Sequence, residues 1–152
     1  MDLFVDDDGF VRAPALKVYR CLTDIDGWGG WWPGVATEPA SGVALEEEDA
    51  EAWRLVWRDR WRRLQMTVVA HGWRHEAGFE LELVGGDLTG GAEFWLEEAH
   101  GGTVVHHILR GATPRRRPLP VLKSYRRVLR RGLWALKDRL QTQVREDLGL
   151  LP

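Results

Sequence analysis

Histidine and tyrosine are the residues of this 152-residue chain best suited to moving a proton, and there are only five of the first and two of the second. His106 and His107 stand together in a strand-like run at residues 103–110, so their side chains point to opposite faces and do not chelate together. Val105, His107 and Leu109 share one face, and Val104, His106 and Ile108 share the other. Both faces are apolar, so alternation alone leaves open which of them looks inward. An imidazole near its usual pKa of about 6.5, turned into a cavity, suits a general base for enolisation or dehydration. Its plainer use is a buried ring held by one hydrogen bond. Tyr125 has a hydroxyl suited to a ligand carbonyl or, more simply, to water at a cavity mouth, and Tyr19 has the same two readings.

Other chemistry is poorly served. His71, His75 and His100 lack the helical spacing to a carboxylate that a zinc site needs, so no metal is expected. No glycine loop is followed by the lysine and helix that cradle a phosphate, and no nucleophile elbow occurs, so no cofactor is expected. Cys21 is the single cysteine, which excludes an internal disulfide and points to a packed thiol in a reducing compartment. The first residues show no secretion signal, and no apolar run approaches the roughly 18 residues that cross a bilayer. A cytoplasmic protein is expected.

The elements that must position these residues follow from pattern. Residues 3–12 predict a strand, bent or broken near Gly9. Pro14 opens a short helix carrying Leu16, Tyr19 and Leu22, with Val18 beside them. Thr23 or Asp24 is a candidate cap for a second short helix, which the glycines and Pro33 end. Six runs then read as strands: 43–47, 53–59, 64–73, 79–84, 91–98 and 103–110. Their short connections make consecutive strands antiparallel neighbours. A basic, proline-rich linker at 114–120 leads to a long helix over residues 122–147. Its apolar stripe is Leu122, Tyr125, Val128, Leu129, Leu133, Leu136, Leu140 and Val144. At 1.5 Å per residue that helix runs about 40 Å, enough to cover a sheet. The order predicts one α+β domain spanning the whole chain, a curved antiparallel sheet wrapped around a C-terminal helix with a pocket between them.

Certain stretches resemble a known family. Val11-Arg12-Ala13-Pro14-Ala15, Leu22-Thr23-Asp24-Ile25-Asp26-Gly27-Trp28 and Trp31-Trp32-Pro33-Gly34-Val35 resemble the opening of polyketide cyclase/dehydrase-like proteins of the START-like, or SRPBCC, superfamily. Gly86-Asp87-Leu88-Thr89-Gly90, Phe94-Trp95-Leu96-Glu97 and Gly101-Gly102-Thr103-Val104-Val105 look like its last two strands, and Gly132-Leu133-Trp134-Ala135-Leu136-Lys137 like its closing helix. The resemblance implies a helix-grip fold (START-like, Bet v 1-like) of about six to seven strands, with two short helices after strand 1. It favours Val105, His107 and Leu109 facing inward. The superfamily's catalytic residues are not shared across its members, so none is carried over.

The expected lining is Trp28, Trp32, Trp57, Met66, Phe79, Leu81, Phe94, His107, Tyr125, Leu129 and Leu133. Flat aromatic walls suit ring-shaped or polyene ligands. Three functions remain: a carrier or sensor of a polyketide-, lipid- or quinone-like molecule, a cyclase or dehydratase using His107, and a protein-interaction module with a collapsed cavity. A dry apolar pocket weighs against the enzyme, and a filled core against both ligand readings. Residues 110–139 hold eleven Arg or Lys and one acid. Without base-stacking aromatics on the same face, this reads as a solvated or partner-binding surface rather than a nucleic-acid site. The sequence does not set the oligomeric state.

Overall fold

The computed structural model describes residues 2–149. Seven strands form one antiparallel sheet: β1 (Asp2–Val11), β2 (Val35–Pro39), β3 (Glu51–Arg58), β4 (Arg63–Arg74), β5 (Gly78–Gly86), β6 (Thr89–Ala99) and β7 (Gly102–Ala112). Their order is β1-β7-β6-β5-β4-β3-β2, a meander from β2 to β7 with β1 returning beside β7. Helix α1 (Ala15–Thr23) and a 3-10 helix (Ile25–Gly30) separate β1 from β2, and helix α2 (Pro118–Asp147) closes the chain. This is the helix-grip arrangement that the resemblance implied.

The strands form where alternation is clear. On β7, Thr103, Val105, His107 and Leu109 are buried, while His106 lies outside, stacked on Trp95 with ring centroids 3.7 Å apart. The β6–β7 turn places His100 and Gly101 at φ 52° and 75°, the left-handed pair that a tight hairpin demands. On β4, Leu64, Met66, Val68 and Ala70 face the helix, and His71 faces out beside Glu47 and Glu80. A register shift between His71 and Arg74 then turns Trp73 inward onto Phe79, with centroids 5.2 Å apart.

Several expectations are corrected. β1 is not broken at Gly9, because its main chain pairs with β7 without interruption from Asp2 to Val11. Residues 43–47 form no strand. They lie in a loop with Leu45 exposed and no partner strand to receive them. The edge strand β2 occurs instead at Val35–Pro39, where only Val35 is buried. On α1 the buried residues are Ala15, Val18 and Leu22, whereas Leu16 and Tyr19 are only half-buried. Neither Thr23 nor Asp24 caps the 3-10 helix with its side chain, since the Thr23 hydroxyl donates back to the Tyr19 carbonyl at 2.8 Å. The linker is shorter than expected. α2 starts at Pro118, because proline fits a first turn whose N–H groups have no partner.

Helix α2 is 30 residues long, about 45 Å. Val121, Tyr125, Val128, Leu129, Leu133, Leu136 and Leu140 face the sheet. Glycine permits two close approaches. A Cβ on Gly9 would stand 3.4 Å from Leu133 Cβ, so β1 presses against the helix there. Gly132 receives the flat ring of Trp32. Among the described residues, no helix is long and apolar enough to cross a membrane.

Candidate functional site

The inner face of β7 carries His107 into the apolar centre, and the second turn of α2 carries Tyr125 down to meet it. The Tyr125 hydroxyl lies 2.6 Å from His107 Nε2, and both residues are almost completely buried. Whichever of the two atoms donates, His107 Nδ1 is left without a partner. Trp57 reaches the same place from β3, stacked on Tyr125 with ring centroids 4.6 Å apart, and its buried Nε1–H is also unpartnered. Phe94 packs on the other side of His107 at 4.2 Å. The site is a short polar chain in an aromatic box, with two hydrogen-bonding atoms unused.

Burial is the largest influence on both groups. It pulls the His107 pKa down to about 3, against the charge of Asp7, which favours the imidazolium. It also holds Tyr125 far above the ordinary phenol range. At neutral pH the pair is therefore uncharged, and His107 is a weak proton acceptor. The arrangement is better built to orient a hydrogen-bonding ligand than to remove a proton. Cys21 is equally unreactive, because burial lifts its thiol to about 11.

All eleven expected lining residues are buried; ten of them belong to one hydrophobic cluster with the helix, and His107 is the buried polar residue among them. Trp28, Met66, Phe79, Phe94, Leu129 and His107 are at most 1% exposed, so no water-sized space borders them. Trp28 and Trp32 are packed into the core. Their centroids lie 5.0 Å apart, Trp28 donates to the Leu22 carbonyl at 2.9 Å, and Trp32 bridges to Trp57 at 5.1 Å. Tyr125, too, has its hydroxyl in the core rather than in water. The space expected between sheet and helix is occupied by these side chains, because indole and phenyl rings from β3, β5, β6 and the 3-10 helix are large enough to fill it.

One inward-facing group escaped the sequence reading. Asp7 follows Leu3 and Val5 on the inner face of β1, opposite His107 in the ladder, with its side chain 20% exposed. It accepts a hydrogen bond from Arg130 Nε at 3.2 Å. The alternation Leu3, Val5, Asp7, Gly9, Val11 was the signal. Outside it opens a groove of about 350 Å³ between β1 and α2, lined by Asp7, Gly9, Phe10, Arg130, Leu133 and Lys137 among others. Leu133 belongs to both the groove and the core. Among the described residues no group of His, Cys, Asp or Glu has the geometry to hold a metal.

No family model and no curated protein matches the chain. Solved structures do. A protein of Thermus thermophilus aligns with 92% of this chain and 98% of its own, at 18% identity and a TM-score of 0.76. A START superfamily protein from Mycobacterium smegmatis gives 92% and 98%, 16% identity and 0.73. The Zhui aromatase/cyclase from Streptomyces sp. R1128 gives 95% and 97%, 16% identity and 0.71. The chain has the START-like helix-grip fold.

Proposed function

We propose that the interior between the sheet and α2, closed by its own side chains in this structure, opens to receive a small, largely apolar ligand, ring-shaped and polyketide-, quinone- or lipid-like, which the protein holds as carrier or sensor. The observation that carries this reading is the pair of unused polar atoms, Trp57 Nε1 and His107 Nδ1, around the bonded Tyr125 hydroxyl. A buried group left unsatisfied costs roughly 1–3 kcal/mol. A ligand with a carbonyl and a hydroxyl relieves both costs while its rings replace the stacked aromatics. The entry path is the β1–α2 groove, with Leu133 as the side chain that must turn aside. The aromatase/cyclase among the similar structures makes a cyclase or dehydratase the alternative. The depressed basicity of His107 weighs against it as a general base at neutral pH.

The test is a thermal-shift series with a naphthoquinone, a hydroxyanthraquinone and a medium-chain fatty acid. Saturation at about 100 times Kd adds about 2.7 kcal/mol, a rise in Tm on the order of 5–10 °C for a chain of this size. Trp57→Phe removes the free donor but keeps an aromatic ring, so ligand affinity should fall about tenfold with apo stability changed by less than about 1 kcal/mol. Ligand extracted after incubation should be recovered unchanged. Turnover would favour the cyclase. Failure of every probe to shift Tm would favour the interaction module, the reading that the closed interior supports on its own.

A further inference from the structure

The turn between β3 and β4 sets a tryptophan at the tip of a cationic surface. Trp61 is 80% exposed, and the Arg60 guanidinium lies 5.1 Å from its ring. The turn is pinned rather than loose. The carboxylate of Asp59 accepts from Arg127 Nε at 2.8 Å and from the Arg60 backbone N–H at 2.8 Å, and Arg127 holds it ionised, below the usual carboxylate range. Arg131 donates to the Arg58 carbonyl and Arg115 to the Arg63 carbonyl, each at 2.8 Å. The hairpin, the loop before α2 and the first half of α2 therefore form one surface.

That surface is strongly basic. Residues 58–63 hold four arginines and one acid, and residues 115–131 hold eight Arg or Lys and no acid. Three acids offset part of it: Asp59 pairs with Arg127 and Arg131, Asp87 with Arg115, and Asp7 with Arg130. Among the described residues, no carboxylate pairs with Arg60, Arg62, Arg63, Arg116, Arg117 or Lys123. Leu119, four residues beyond Arg115, adds a second exposed apolar side chain. The opposite charge lies on the outer sheet face, in Glu80, Glu82, Glu93 and Glu97. With a net charge of only −2, positive charge is concentrated on this surface rather than spread over the chain, and a negatively charged plane attracts it.

From this we infer that the β3–β4 turn docks on an anionic lipid bilayer, with Trp61 seated at the headgroup level and the surrounding arginines on lipid phosphates. An indole is amphipathic and concentrates at membrane interfaces, and arginine stems lie along apolar surface while their heads reach anions. A nucleic acid is the weaker fit. A strand-binding surface needs a groove with successive stacking rings, and this one presents a single ring on a projecting tip.

Co-sedimentation of the full chain with vesicles tests the inference without reference to any interior ligand. Binding is expected to phosphatidylcholine vesicles enriched in phosphatidylglycerol and not to phosphatidylcholine alone, with release at about 0.5 M NaCl. Trp61→Ala, at a position with little packing to lose, should lower the partition about tenfold at unchanged Tm, and the double change Arg60→Glu with Arg62→Glu should abolish it. Equal binding to neutral vesicles, no binding, or an unchanged partition for Trp61→Ala would overturn the inference. Tighter binding to a single-stranded oligonucleotide than to anionic vesicles would overturn it in favour of nucleic acid.

Discussion

Gly132→Ala should destabilise the protein by about 3 kcal/mol, although alanine is the better helix former by about 1 kcal/mol. A Cβ at this position would lie 2.1 Å from Trp32 Cε2, 2.3 Å from its Nε1 and 2.5 Å from its Cζ2. The ring cannot simply lift away. Its Nε1 donates to the Val128 carbonyl at 2.8 Å, and it packs on Trp28, Trp31 and Trp57 with centroids 5.0 to 5.5 Å distant. Admitting the methyl forces the indole off by roughly 1 Å or more, breaks that bond in a buried place and disturbs three neighbours. Overpacking of this kind costs about 1–3 kcal/mol and a stranded buried donor about as much again, so the loss exceeds the gain in propensity.

Urea unfolding of four proteins measures it: wild type, Gly132→Ala, Trp32→Leu and the double variant. Trp32→Leu alone is costly, but in its presence Gly132→Ala should become neutral or stabilising, because the methyl then has room. Single and double cycles that add without coupling, or a Gly132→Ala protein as stable as wild type, would show that the helix and the indole do not meet in this way.

The same contact shows where the sequence is legible and where it is not. The hairpins from β4 to β7 are readable because short strand-like runs are separated by turn residues that take left-handed backbone, Glu76 and Gly78, Gly86, and His100 and Gly101. The inward turn of His107 also follows from parity once one face of β7 is known. Residues 43–47 mislead because Val43, Ala44 and Leu45 look like a strand, yet acids follow at once and no neighbouring strand pairs with them. β2 is hidden for the opposite reason, since an edge strand that buries only Val35 has no pattern to show. Gly9, following the acids Asp6–Asp8, suggests a bend or break, but a strand ladder is made by main-chain groups and tolerates both at an edge. Asp7 is hard to read as an inward group because acids flank it on both outward positions. Whether the interior is open or closed depends on how rings from distant segments interlock. Trp32 and Gly132 are 100 positions apart, and no local pattern links them.

Acidification from pH 7 to pH 5 should cost the folded protein about 2 kcal/mol through His107 alone. Burial depresses the imidazole to about 3, with Asp7 opposing. In the unfolded chain the same ring titrates near 6.5. Below that pH the unfolded state takes up a proton that the folded state refuses. The stability is thus complete above about 6.5, drains away as pH falls, and stops falling only near the folded value of about 3. Carboxylates titrate mainly below this window, and the other histidines are present in any His107 variant. The comparison is therefore between wild type and His107→Gln, whose unfolding free energies should converge by about 2 kcal/mol between pH 7 and pH 5. Parallel profiles would mean that the ring accepts a proton in the folded state near its ordinary pKa. That result would remove the electrostatic objection to catalysis, since an imidazole that ionises near neutrality beside Asp7 and the Tyr125 hydroxyl is a competent general base. Convergent profiles would leave His107 a neutral hydrogen-bonding group, suited to holding a ligand and too weakly basic to deprotonate one.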